Sequence, residues 1–255
     1  MPIKSTISYF VENMPREISH LAIILKKQPL NEADELVTIF SKEAGKLRAL
    51  AKSAKLAKSK LQHGLQVLFL IKLTLAGSSL PKIIGAEVLE TFSHIRSSLE
   101  ASKTAFFALE ILLKFTADEH RNEKLFNLYL DFFRFLDKTA EDPDKLNFGL
   151  AKFKIDFLTA VGFSVSADRP KDFIGNISFS NSRGGFEFGQ GAPDGQSASE
   201  QAFNRFKELR ALNFSALEDY RIPSVGDIEY LQRILSGFLE YQLEREIKSE
   251  RFLNG

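Results

Sequence analysis

The 255-residue sequence has no cysteine, no tryptophan and only two methionines. Without cysteine there are no disulfides, thiolate zinc sites, iron–sulfur clusters or cysteine nucleophiles. The four histidines, His20, His63, His94 and His120, are scattered without ligand spacing, so no metal site is expected. Long apolar runs are also missing. The longest, Val67 to Ala76, is interrupted by Lys72 and is too short to span a bilayer. No basic start followed by an apolar run opens the chain, so the expectation is a protein without signal peptide or membrane contact, located in the cytoplasm. Catalytic signatures are absent as well. There is no glycine-rich phosphate loop with a following Lys-Ser/Thr, no Gly-x-Ser-x-Gly elbow and no His-Glu-x-x-His. Carboxylates stand singly or on solvated helix faces, as at Glu244 and Glu246. These absences point to a binding protein that is not an enzyme and needs no cofactor.

What the chain does have is phenylalanine, 24 residues in all, within an otherwise ordinary composition of 44% hydrophobic and 26% charged residues. Apolar cores packed mainly with aromatic rings are expected. The second feature is charge placement. Lys42, Lys46, Arg48, Lys52, Lys55, Lys58 and Lys60 stand against one acidic residue, Glu43, giving this segment a charge of +6 in a chain whose total is +1. Such a layout is that of a protein meeting a polyanion at one place, or of a solvated basic face that serves solubility alone. Leu47, Ala49 and Ala51 alternate with Lys46, Arg48 and Lys52, the period of a half-buried strand with its cations on one exposed side. Lys55, Lys58 and Lys60 follow at a spacing that suits a helical turn or a loop. Groups spaced in this way can track phosphates, each contact releasing condensed counterions.

Residues 1–17, with Pro2 and Pro15, read as an extension holding at most a short strand near Ile7 to Val11. Five strand-like segments follow within residues 18–90: His20 to Lys27, Asp34 to Ser41, the basic strand after Gly45, Leu65 to Ala76, and Leu80 to Leu89 after the Gly77-Ser78-Ser79 turn. Five strands with an insertion after the third fit a small closed barrel of the oligonucleotide-binding (OB) type, which binds single strands through a basic, partly aromatic face. An unrelated small β-domain has the same pattern. From Thr91 the period becomes helical, so residues 91–255 are expected to form a helical domain. Phe92, Ile95, Leu99, Phe106, Leu109 and Leu113 mark the inner face of one helix ending near Ala117. Leu125, Leu128, Phe132 and Leu136 mark a second. A third starts at the Asp142-Pro143 cap, turns Leu146, Leu150, Phe153, Phe157 and Val161 inward, and stops at Gly162. Residues 163–199 are rich in glycine. Ile177 and Phe179 face Phe186 and Phe188 across a turn as a hairpin, and Gly189 to Ser199 reads as a mobile loop. Helical pattern resumes from Ser199 to Leu212. A last helix is capped by Ser224 after Pro223, with Asp227 in a capping-box position and Ile228, Leu231, Leu235 and Phe238 inward. The predicted class is α+β: an N-terminal five-stranded OB-type β-barrel, then an α-helical domain carrying a small inserted β-hairpin.

The segment Asn31 to Arg48 (NEADELVTIFSKEAGKLR), with Ala51-Lys52-Ser53-Ala54-Lys55 and Ser59-Lys60-Leu61 after it, resembles the start of the bacterial recombination mediator family RecO. Ala86-Glu87-Val88-Leu89-Glu90 resembles the family's fifth strand, and Lys248-Ser249-Glu250-Arg251-Phe252-Leu253 is similar to the Lys-Ser-x-x-Phe-Leu closing many members. The resemblance spans about residues 20–253 in the same order. It implies an OB barrel and a helical domain. It also implies binding of single- and double-stranded DNA and annealing of complementary strands. With a RecR-like partner, the family helps the RecA recombinase replace single-strand binding protein (SSB), whose acidic C-terminal tail it contacts. By position, the DNA-contacting groups implied are Lys46, Arg48, Lys52, Lys55, Lys58 and Lys60. Nucleoid association in the cytoplasm follows from the same resemblance.

One departure concerns a four-cysteine zinc module carried by many members in the helical domain. Here Gly184-Gly185-Phe186-Glu187 is followed by Phe188 and Gly191 at the cysteine positions, so a zinc-less hairpin is expected, with Phe179, Phe186 and Phe188 packing in place of the metal. Three further readings stay open on the residues alone. One is an interaction scaffold with little DNA affinity, a second an RNA-directed OB protein, since phosphate contacts and base stacking serve both polymers, and the third an enzyme whose site carries no recognised motif.

Overall fold

The computed structural model describes residues 17–56, 59–77, 79–222, 226–244 and 247–253. The chain divides into two compact units, the first reaching to Thr91 and taking in Ala117–Glu123, the second comprising Phe92–Thr116 and the residues from Lys124 onward. The expected strand near Ile7, the Ser224 cap and Lys58 lie outside the described residues.

The first unit contains β1 (Glu17–Pro29), β2 (Glu35–Ser41), β3 (Gly45–Ala51), a short α1 (Lys60–Gly64), β4 (Leu70–Ala76) and β5 (Lys82–Glu90). The strands close in the order β1-β2-β3-β5-β4, with β4 returning to β1 along the register Glu17↔Ala76 to Ile23↔Leu70. Only β3 and β5 run parallel, meeting at Leu50↔Lys82. A parallel neighbour needs a crossover, and α1 with β4 supplies it. Alternation decides the interior. Ala22, Ile24, Val37, Ile39, Leu47, Ala49, Ile71 and Leu73 point into one apolar core, while the residues between them face outward.

The fourth strand starts at Leu70, later than the Leu65 expected from the apolar run. Leu68 takes φ +73°, its N–H donates to the Ile24 carbonyl, and Phe69 N–H donates to Gln66. An extended strand would turn every second residue of this run to solvent. The bend instead buries Leu65, Leu68 and Phe69 together. The connector before it contains α1, whose N-cap Ser59 hydroxyl accepts from Leu61 N–H.

The second unit is built on α2 (Ser93–Ser97), α3 (Leu99–Phe115), α4 (Glu123–Lys138), α5 (Pro143–Ala160), α6 (Glu200–Ala211), α7 (Phe214–Asp219), α8 (Gly226–Leu243) and the terminal turn α9 (Glu250–Leu253). The single helix expected from Thr91 is broken at Ser98, whose extended backbone and hydroxyl cap α3 through Ala101 N–H. Its inner face differs too. Leu99 and Phe106 are exposed, while Ala101, Ala105 and Ala108 are buried beside Phe107, Leu109 and Leu112. Small residues let the neighbouring helices approach, so size was a poor guide to direction here. Asp142 caps α5 as expected, accepting from Lys145 N–H, with Pro143 in its first turn. Phe132 and Phe153 stack at 4.2 Å, and Gly149 lies so close to Phe135 that an added Cβ would stand 2.1 Å from the ring.

The glycine-rich stretch forms a three-stranded sheet in the order β7-β6-β8, with β6 (Ile177–Ser180), β7 (Gly185–Phe188) and β8 (Gln196–Ala198). The expected hairpin is present in register: Ile177↔Phe188 and Phe179↔Phe186. The loop expected over Gly189 to Ser199 is instead crossed by β8, which pairs with β6 at Ile177↔Ala198. Phe186 packs edge-on to Phe179 and to Phe203, each at 5.2 Å between centroids, and Phe188 meets Phe203 at the same distance. Rings thus fill the centre of the module. The Asp194 carboxylate accepts from the hydroxyls of Ser180 and Ser182 and from Ser182 N–H, fixing the turn.

Candidate nucleic-acid interface

The outer side of β1, β2 and β3 carries the basic segment. Phe40 opposes Lys46, Thr38 opposes Arg48 and Leu36 opposes Leu50, so Lys46 and Arg48 share the outward row predicted from their spacing. Their environments differ sharply. Lys46 keeps only 12% of its side-chain exposure and pairs with Asp118 at 3.3 Å, while its carbonyl accepts from Glu119 N–H. Lys42 is likewise paired, to Glu123 at 3.1 Å. Both acids lie in the 117–123 segment of the same unit. Arg48 is exposed and makes no ion pair among the described residues.

On the other side of Thr38 stands Lys26 of β1, a cation outside the predicted segment. Strict alternation from Ile24 would point Lys26 into the core. A register shift between Ile24 and Lys26 reverses that parity and brings Lys26 opposite the outward Thr38. Lys26 is exposed and also lacks an ion pair among the described residues. Lys26 and Arg48 therefore flank Thr38 two strands apart, about 10 Å at ordinary strand spacing. No signal short of the register itself distinguishes Lys26 in the sequence.

Lys52 and Lys55 sit in the turn after β3, and both are exposed. This turn is tied to the β1–β2 loop. Ser53, at φ +54°, donates its N–H to Asp34 Oδ1 at 2.8 Å, Lys55 N–H donates to the Ala33 carbonyl at 3.0 Å, and Lys55 Nζ donates to the Asn31 carbonyl at 2.9 Å. Asn31 braces its own loop, its Oδ1 accepting from the N–H groups of Ala33 and Asp34 and its amide donating to Asp34 Oδ2. The Ser53 N–H, the Asn31 amide and the nearby Lys52 charge hold the Asp34 carboxyl below its ordinary range. Asp34 thus remains an anion that fixes the turn. The Lys55 ammonium bonds a neutral carbonyl and keeps its charge available to a ligand. Lys60 lies at the start of α1.

Four of the predicted cations are thus placed among the described side chains. Arg48, Lys52 and Lys55 face solvent, and Lys46 is spent on Asp118. The barrel's described aromatic residues, Phe40 and Phe69, are both buried, so no phenylalanine or tyrosine platform faces outward there among the described residues. The surface has the chemistry of phosphate binding. Among the described residues no group of three or more acidic, histidine or cysteine side chains is placed to hold a metal ion, and no helix is long and apolar enough to cross a membrane.

Residues 14–92 match the family described as Recombination protein O N terminal, and residues 96–251 the one described as Recombination protein O C terminal. A DNA repair protein RecO of Dehalococcoides mccartyi is 31% identical over 150 residues, an alignment that spans 58% of each chain. Alignments with the DNA repair proteins RecO of Pelotomaculum thermopropionicum and Desulfatibacillum aliphaticivorans are longer. They show 26% and 27% identity over 91% of this chain and over 92% and 94% of those proteins. With both family matches in consecutive order over nearly the whole sequence, the chain belongs to the RecO family of DNA repair recombination proteins.

Proposed function

We propose that this chain is a non-enzymatic DNA-binding mediator of recombinational repair, with residues 18–90 as its DNA-binding domain. Exposed cations on one side of the barrel, Lys26, Arg48, Lys52 and Lys55, neutralise backbone phosphates of single- or double-stranded DNA. Reduced repulsion between two bound strands favours their annealing. In the cell, which we take to be bacterial with the protein at the nucleoid, annealing and the loading of recombinase onto SSB-coated DNA would involve a RecR-like partner and the SSB C-terminal tail. Family membership supports this role. The observation that carries the DNA-binding part is the division of the basic segment: Lys42 and Lys46 are consumed by internal ion pairs, whereas Arg48, Lys52, Lys55 and Lys26 are exposed and remain free of ion pairs among the described residues.

The test is a titration of a labelled single-stranded DNA oligomer, followed by fluorescence anisotropy, with the full chain and its Arg48→Glu, Lys52→Glu, Lys55→Glu variant. The variant is expected to lose most of its affinity while its circular dichroism spectrum stays unchanged and its melting point moves by only a few degrees, because all three side chains are exposed and the one structural bond lost is that of Lys55 Nζ to the Asn31 carbonyl. Unchanged affinity would remove this face from the function and favour an interaction scaffold. Competition with an RNA oligomer of the same sequence separates DNA from RNA preference.

A further inference from the structure

Residues 117–123 follow α3 in the chain but belong to the barrel unit, and they carry three acids, Asp118, Glu119 and Glu123, beside His120 and Arg121. The segment lies along the edge of β3. Lys46 and Asp118 form a parallel bridge, and Glu119, at φ +59°, donates its N–H to the Lys46 carbonyl at 2.7 Å. Main-chain bonding thus fixes where the acids stand. Asp118 meets the Lys46 ammonium at 3.3 Å, and Glu123 meets that of Lys42 at 3.1 Å while also pairing with Arg121 at 3.0 Å. In both lysine pairs the acid is the outer member. The Asp118 side chain is 57% exposed against 12% for Lys46, and Glu123 44% against 35% for Lys42. Lys42 first, and then Arg121, holds the Glu123 carboxyl below its ordinary range. Lys46 and Arg48 are two residues apart on β3, about 7 Å at ordinary strand rise. A polyanion lying on Arg48 therefore meets a carboxylate at the next position along the strand, where the sequence alone shows a cation.

We propose that Asp118 and Glu123 are built-in competitors of DNA phosphate, which end the cationic face at Arg48 and limit its affinity. The inference rests on the DNA-binding reading above and adds an internal restraint to it. A carboxylate this close to an ammonium takes the place that a phosphate oxygen would need. The neutralised lysine then adds nothing to the attraction for DNA. Because Asp118 and Glu123 belong to the same chain and the bridge to β3 holds their segment in place, they compete at a high effective concentration. A limited affinity suits a mediator, which has to give up the strands that it has brought together.

The test is a double-mutant cycle on the full chain, read as the slope of log affinity against log salt for a labelled oligothymidylate. Asp118→Asn with Glu123→Gln is expected to steepen the wild-type slope by about 1.4, two phosphates at about 0.7 each. The same two changes in a Lys42→Ala, Lys46→Ala background should leave the slope where it was, since no ammonium is there to be released. Both replacements keep the size of the side chain, and the bond from Glu119 N–H to the Lys46 carbonyl is untouched, so the circular dichroism spectrum should not change. Should the double variant fail to fold, Asp118→Asn alone makes the same comparison with about half the shift. An unchanged slope in the wild-type background overturns the proposal. So does an equal shift in both backgrounds, the mark of a general loss of negative charge. Either result leaves DNA binding by wild type standing. Failure of wild type to bind the oligomer at low salt overturns the DNA-binding reading itself, and this inference with it.

Discussion

At the scale of single residues, the basic segment is ordered by one glycine. Gly45 opens β3 at φ +75°, in the left-handed region, and a Cβ there would stand 2.1 Å from the His120 carbonyl oxygen. The same close approach lets Glu119 N–H reach the Lys46 carbonyl and Asp118 reach the Lys46 ammonium. Gly45→Ala combines a disfavoured backbone with a collision against a carbonyl, and it is expected to cost about 3 kcal/mol of stability. Chemical denaturation of the variant would measure this. A cost below about 0.5 kcal/mol, the range of an ordinary surface change, would mean that the 117–123 segment is not held as described.

Elements show what spacing can and cannot convey. The second unit's C-terminal segment is fastened to α3 by a carboxylate: Glu110 accepts from Lys248 N–H at 3.0 Å, from Ser249 N–H at 2.7 Å and from the Ser249 hydroxyl, and pairs with Lys114 at 2.7 Å. A second tie joins Lys154, fully buried on α5, to Glu250 at 3.2 Å and to Ser236. Burial pushes the Glu110 carboxyl upward, but the donors from Lys114, Ser249 and Lys248 together outweigh it and hold the group at about 2, against 4.5 ordinarily. A carboxyl depressed in the folded state stabilises fully above its unfolded value, and that contribution disappears as pH falls from about 4.5 through 2. Glu110→Gln is expected to lower stability at neutral pH by about 2 kcal/mol, the scale of hydrogen bonds to a charged group. Between pH 5 and pH 2, thermal melting should fall less steeply for the variant than for wild type. Parallel curves would show that Glu110 is not the group that titrates.

Much of this scale was legible beforehand. β1 and β2 announced themselves through short apolar runs, β3 through alternation after the Gly45 turn, the Ile177–Phe188 hairpin through paired apolar residues across a turn, and α5 through Asp142-Pro143 and Gly162. Alternation fails where a backbone leaves its period, as at Leu68, whose positive φ delays β4, and at the Ile24–Lys26 shift, which turns Lys26 outward. The inner face of α3 was read at Leu109 but missed where Ala101, Ala105 and Ala108 carry little apolar signal, and the Ser98 break was missed because a serine serves a helix interior and a cap alike. β8 was hidden in a stretch whose glycines read as a loop. At the candidate site, spacing placed Arg48 and Lys52 outward correctly. It had no means of seeing that Lys46 is matched by Asp118, 72 positions along the chain.

For the whole molecule, the proposed function rests on how charge is apportioned. Residues 1–90 hold 13 basic and 8 acidic groups, while residues 91–255 hold 21 and 25. The positive excess is therefore concentrated in the barrel's portion of the chain, where Glu123 and Asp118 pair with Lys42 and Lys46 while Lys26, Arg48, Lys52 and Lys55 stay exposed. The proposed phosphate-binding face is expected to behave as a counted number of released counterions. The most direct measurement is single-stranded DNA affinity against salt concentration for three proteins: wild type, Lys46→Ala, and Arg48→Ala, Lys52→Ala, Lys55→Ala. The wild-type log–log slope is expected to correspond to roughly three to six counterions, with Lys46→Ala alike and the triple variant lower by about two to three. A salt-independent affinity, or a triple variant with the wild-type slope, would contradict the account.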